Sequence, residues 1–148
     1  MHGEQLAEEF PVVSLDDDAR QAVELLASHR LPGLIVTKAD GSPCCVLPAS
    51  QVVRFLVPRY VQDDPSLARV IDESLADRIA DKLTGLTVRK LLPDEPREIA
   101  VVNHDDTILE IAAIMARLRS PLVVVVRDRH ILGAITASRL LEQAIAPH

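Results

Sequence analysis

Aromatic side chains are nearly absent from this chain: it has no tryptophan, one tyrosine and two phenylalanines in 148 residues. That scarcity argues against a base-stacking platform for single-stranded nucleic acid. It also leaves Val, Ile, Leu and Ala to fill the core. Hydrophobic residues make up 48% of the chain, too many for a disordered polypeptide. Cysteine is scarce as well. Cys44 and Cys45 are adjacent, a spacing that strains a disulfide and cross-links no two elements, so the expected compartment is a reducing cytoplasm. Positive charge is not in excess. The formal charge of −6 disfavours long-range attraction to nucleic acid or an anionic membrane.

No apolar run approaches the length of a membrane span. The polar start His2-Gly3-Glu4-Gln5 does not resemble a signal peptide. No Ser–His–Asp set, Walker loop or dinucleotide-binding glycine pattern occurs. His2, His29, His104, His130 and His148 lack ligand spacing to one another and to the cysteines. Asp16, Asp17 and Asp18, and again Asp105 and Asp106, stand just before helices, where carboxylates cap and offset the helix dipole. Chemistry by an enzyme of this sequence would have to be assembled across distant segments, and none is expected.

What the chain does have is one pattern written twice. Asp16-Asp17 opens an apolar-periodic stretch that runs to Leu26, Arg30-Leu31-Pro32 breaks it, and Gly33 to Val36 follows. Asp105-Asp106, a stretch to Met115, Arg119-Ser120-Pro121 and Leu122 to Val126 repeat the order. The offset between the aspartate pairs equals that between the prolines. Such self-similarity marks two related units stacked on each other.

Each unit reads strand–helix–strand–strand–helix. In the first, Val12-Val13 is a strand and Asp18 with Gln21 is a helix start. Ala19, Ala22, Val23 and Leu26 mark a buried face. Leu34 to Val36 is a buried strand, Lys38 to Gly41 a hairpin signal, Cys44 to Leu47 the return strand, and Ser50 to Leu56 a helix. A short turn of helix is expected at Leu6–Phe10, ended by Pro11. In the second unit, Ile99 to Val102 is a strand and Thr107 with Glu110 a capping box. Ile108, Ile111, Ala112, Met115 and Leu118 form the buried stripe. Arg127 to His130 is a turn, Ile131 to Ile135 the return strand, and Ser138 to Ile145 the last helix. Between them, Pro58–Pro65 reads as a connector. Leu67, Val70, Ile71, Leu75 and Ile79 mark a helix reaching Leu83, and Thr87 to Leu92 a short helix. The fold class is therefore α/β, with residues 1–57 and 86–148 as two repeats and 58–85 as a helical connector. A small sheet with helices on one side is marginal alone, and pairing two units completes the core.

The run Arg30-Leu31-Pro32-Gly-Leu-Ile-Val followed by a hairpin resembles the heart of a cystathionine-beta-synthase-type repeat, the CBS domain. Ser120-Pro-Leu-Val-Val-Val-Val, a hairpin and Gly133-Ala-Ile-Thr136-Ala-Ser-Arg139 resemble it more fully. The resemblance implies tandem repeats in a pseudo-twofold module, often a homodimer. It implies a regulatory or sensory role in which an adenosine nucleotide (AMP, ADP or ATP) or a related compound sits in the inter-repeat clefts. It also implies output through a separate protein partner.

In that family the return strand ends in Gly-x-x-Thr/Ser, and an Asp follows that reads the ribose. By resemblance the site here comprises Gly133, Thr136 and Arg139, with Gln51 in the first repeat and the repeat prolines Pro32 and Pro121. Arg139 stands where the family has Asp. Cys45, Pro48 and Gln51 stand at the Gly, Thr and Asp positions of the first repeat, so both ribose-reading carboxylates are missing. Two readings of Thr136 and Arg139 stay open: a weak anion site at a helix start, or a simple cap beside a solvated arginine. The matching alternative for the whole chain is a structural interaction module whose ligand sites are empty. A dimer is expected to bury flanking helices, including the stripes around Val23 and Ile111.

Overall fold

A computed structural model describes residues 1–66, 78 and 80–146 of the chain. In chain order its elements are α1 (Gly3–Leu6), β1 (Val12–Ser14), α2 (Ala19–Ser28), β2 (Gly33–Thr37), β3 (Pro43–Pro48), α3 (Ala49–Leu56), α4 (Arg59–Asp63), α5 (Val88–Leu91), β4 (Ala100–Asn103), α6 (Ile108–Leu118), β5 (Leu122–Arg127), β6 (His130–Thr136) and α7 (Ala137–Ile145). The apolar stripe from Leu67 to Ile79 in the connector lies outside the described residues. Leu83, at its far end, is buried against the first repeat.

Both repeats have one topology. β1 pairs parallel with β2 and β2 antiparallel with β3; β4, β5 and β6 repeat that order. The sequence explains the starts. Asp18 accepts the Gln21 N–H at 3.0 Å. Thr107 and Glu110 close the capping box of α6, each side chain accepting the other residue's N–H. The helices end on Arg30 and Arg119, both left-handed with φ near 50°. That conformation lets the chain turn sharply into each proline and the strand behind it.

β2 and β5 are buried on both faces, which is why they read as unbroken apolar runs. One face packs on its own helices. Leu34, Val36 and Leu47 join Ala19, Ala22 and Leu26. Val123, Val125 and Ile135 join Ile111 and Met115. The other faces meet. Ile35 of the first sheet packs with Leu122, Val124 and Ala134 of the second, flanked by Phe10, Val46, Ile99 and Ile131. The two repeats thus close a shared interior.

The lead-in segments cross over. α5, which precedes the second repeat, buries Val88 and Leu91 in the core of the first. α1, which precedes the first repeat, buries Leu6 in the core of the second. The expected turn at Leu6–Phe10 is corrected: the helix lies earlier, at Gly3–Leu6. Gln5 accepts the His2 N–H there, and the Glu8 main chain is committed elsewhere, exchanging hydrogen bonds with Ala134 in both directions (2.9 and 3.0 Å). The Pro58–Pro65 connector contains α4, whose Gln62 amide donates to the carbonyls of Arg54 and Val57, each at 2.8 Å.

Candidate functional site

Among the described residues, two clefts lie where the repeats meet. The larger, about 880 Å³, has one wall from Glu9 to Val12, the segment entering β1. Thr37, Asp40 and Gly41 from the β2–β3 hairpin form a second side. Arg129 in the β5–β6 turn and His130 to Gly133 of β6 form a third, and His29 at the end of α2 adds to the lining. Cationic and imidazole side chains from both repeats therefore share one cavity. The β5–β6 turn delivers two of them. Asp128 and Arg129 both have positive φ, 49° and 69°, the backbone of a tight hairpin turn for which Asn-Gly is cheapest. Full side chains are held there despite the strain. On the facing hairpin, the Ser42 hydroxyl (2.6 Å) and backbone N–H (3.0 Å) donate to Asp40 and hold its carboxyl below the usual range, so it stays ionised in mild acid.

The smaller cleft, about 390 Å³, lies beside α5 and is lined by Cys44, Arg89, Lys90 and Asp94 among others. Arg89 is paired with Asp16 at 3.3 Å. Cys45 next to it is buried, and burial followed by the neighbouring Cys44 pushes its thiol up to about 12, which keeps it protonated and unreactive. Among the described residues no cluster of three or more His, Cys, Asp or Glu is set to hold a metal.

The residues singled out from sequence fall at the starts of α3 and α7. Thr136 accepts the Arg139 N–H at 3.1 Å and so caps α7. Pro121 and Pro32 play equivalent parts: their carbonyls accept the first N–H of α7 (Ala137, 2.9 Å) and of α3 (Ala49, 3.0 Å). Arg139 is half-buried, with Nε 3.3 Å from Glu8 and a terminal nitrogen 4.0 Å from Glu142. Its Nε–H is enclosed yet not aligned for a hydrogen bond. Gln51 donates to the Leu91 carbonyl at 3.2 Å and ties α3 to α5. Gly133 alone lines the larger cleft, and its glycine identity has a steric cause: a Cβ there would lie 2.3 Å from the Glu8 carbonyl.

Sequence reasoning missed His29, Asp40, Arg129 and His130 as cleft residues. The hairpin signals at Asp40-Gly41 and Arg127–His130 were the available clue. Nothing in the spacing says that the two hairpins face one cavity. The stripe around Ile111 is also corrected as a dimer surface, because Ile111 is wholly buried inside its own repeat. The large apolar side chains exposed on α6 and α7 are Leu109, Leu118, Leu141 and Ile145. Among the described residues no helix is long and apolar enough to cross a membrane.

The family model for the CBS domain matches residues 96–145, the second repeat. No curated protein matches the chain. Among solved structures, a CBS domain-containing protein of unknown function from Kribbella flavida DSM 17836 is 75% identical, with a TM-score of 0.93 over 99% of both chains. The CBS domain of a membrane protein from Sphaerobacter thermophilus is 19% identical, with a TM-score of 0.74 over 96% of this chain and 86% of that one. CBSX2, solved in complex with AMP, is also 19% identical, with a TM-score of 0.65 over 97% of this chain and 96% of that one. Fold, repeat order and the near-full-length relative agree, and the chain belongs to the CBS domain family.

Proposed function

We propose that this chain is a non-enzymatic regulatory module that binds an adenosine nucleotide or another phosphorylated metabolite in the larger inter-repeat cleft. The observation that carries the reading is the cavity of about 880 Å³ into which both repeats contribute, with Arg129, His130 and His29 on its walls. Its size suits a small organic ligand. A guanidinium and two imidazoles suit a phosphate group. CBSX2, of the same fold, was solved with AMP. Thr136 and Arg139 extend this site only if phosphate displaces Glu8, because the guanidinium already has a carboxylate beside it. The two free thiols suit a reducing cytoplasm.

A second reading, an interaction module with empty ligand sites, draws on the other end of the molecule. α7 has no fully buried residue and exposes Leu141 (61%) and Ile145 (82%). A homodimer, or a separate protein partner, would cover that face.

A thermal-shift panel of AMP, ADP and ATP, with native mass spectrometry of the same sample, separates the two. Ligand at a hundred times its Kd stabilises by about 2.7 kcal/mol, which raises Tm by about 5–10 °C for a chain of this size. The expected result is such a rise with at least one nucleotide, most of it lost in Arg129→Ala. A dimer that ignores all three nucleotides would favour the second reading. Equal shifts in wild type and Arg129→Ala would remove the nucleotide from this cleft. Arg139→Ala reads whether the start of α7 takes part.

A further inference from the structure

We propose that residues 2–10 act as a releasable strap, and that its Glu8–Arg139 clasp couples the wall of the larger cleft to α7. The strap begins at the turn between β4 and α6, where the N–H groups of Gly3 and Glu4 donate to the carbonyls of Asp106 and His104 at 2.9 and 2.8 Å. It continues along the free edge of β6, where Glu8 and Ala134 exchange hydrogen bonds. It then becomes the cleft wall at Glu9 to Val12. One short segment therefore touches the cleft at one end and the body of the second repeat along its length.

Its fastenings are unequal. Leu6 is the single large apolar anchor that is fully buried. Besides the main-chain hydrogen bonds, its side-chain fastenings are ionic and partly wet: Glu4 accepts from Arg127 and lies 3.6 Å from His104, and Glu8 lies 3.3 Å from Arg139. Partly exposed pairs of this kind hold weakly and can be exchanged. The Arg139 contact is also imperfect, since its enclosed Nε–H lacks an aligned acceptor. Arg139 belongs to the first turn of α7, whose Thr136 cap it completes through its own N–H. The strap sits without slack, because Gly133 passes so close beneath the Glu8 carbonyl that no side chain fits. A displacement of Glu9 to Val12 cannot be absorbed at Glu8 and must either be resisted or pass to Arg139. A bound ligand that shifts the wall would thereby alter the helix that exposes Leu141 and Ile145. This regulatory role rests on the cleft being the ligand site; the mechanical coupling does not.

Amide hydrogen exchange on the full, ligand-free chain tests the coupling. In Glu8→Gln and in Arg139→Gln, the amides of Glu8 and Ala134, those of Val13 and Ser14 in β1, and those of the first turn of α7 are expected to exchange roughly three- to tenfold faster, while Val123 to Val125 keep their wild-type rates. The double variant should match either single one, since both break the same contact. Faster exchange confined to Glu8 and Ala134, or additive effects in the double variant, would overturn the proposal. Because no ligand is present, failure of the nucleotide panel leaves this result standing. A wild-type exchange pattern in Glu8→Gln alongside an intact nucleotide response would remove the strap alone.

Discussion

Val124→Asp is expected to unfold both repeats together. Val124 lies at the centre of the contact between the sheets, wholly buried beside Ile35, Leu122 and Ala134. Among the described residues the only buried polar side chain is Thr37, which does not belong to that cluster. A carboxylate there has no charge partner. Burying it ionised costs far more than the transfer of a valine returns, and neutralising it still leaves an unpaired polar group. Domains of this size hold about 5–15 kcal/mol in total, so one such change consumes most of it. Circular dichroism should show loss of both helix and strand, with amides of Leu34 to Val36 in the first repeat losing protection as fully as those around position 124. A folded first repeat beside an unfolded second would contradict the shared interior.

Gly133→Ala is expected to unseat the strap without unfolding the sheets. The added methyl carbon would lie 2.3 Å from the Glu8 carbonyl oxygen and 3.0 Å from its carbonyl carbon. Both are main-chain atoms and cannot swing aside as a flexible side chain could. The strap has to lift, losing the two Glu8–Ala134 hydrogen bonds at about 1 kcal/mol each and putting the burial of Leu6, about 2 kcal/mol, at risk. A loss of about 3–4 kcal/mol should lower the urea midpoint by roughly 1–2 M. A change within about 0.5 kcal/mol would mean that the close approach is not a constraint in solution.

The repeat architecture was legible because each repeat carries the same local instructions. Asp18 and Thr107 announce helix starts, Pro32 and Pro121 stop the chain before a buried strand, and the runs Leu34–Val36 and Leu122–Val126 fit strands covered on both faces. The resemblance to the CBS repeat added the pairing, and both held. The crossing of the lead-in segments was not legible. Leu6 and Val88 are ordinary apolar residues in short helices, and nothing near them in sequence says which repeat will bury them. That choice belongs to packing across the whole chain. The same holds for Arg139. Its place at the start of a helix could be read, but Glu8, its partner, is separated from it by nearly the entire sequence. The cleft residues Arg129 and His130 sit in a turn that the sequence marked as tight, and only the meeting of two hairpins makes them neighbours of Asp40 and His29.

Two crossed-over repeats form one body, with the cleft as their joint product. Differential scanning calorimetry of the intact chain tests it most directly. A single transition is expected, with equal calorimetric and van't Hoff enthalpies of about 100 kcal/mol for a chain of this length. Two resolved transitions, each carrying about half of that enthalpy, would mean that the repeats fold independently and that no common interior or cleft holds them together.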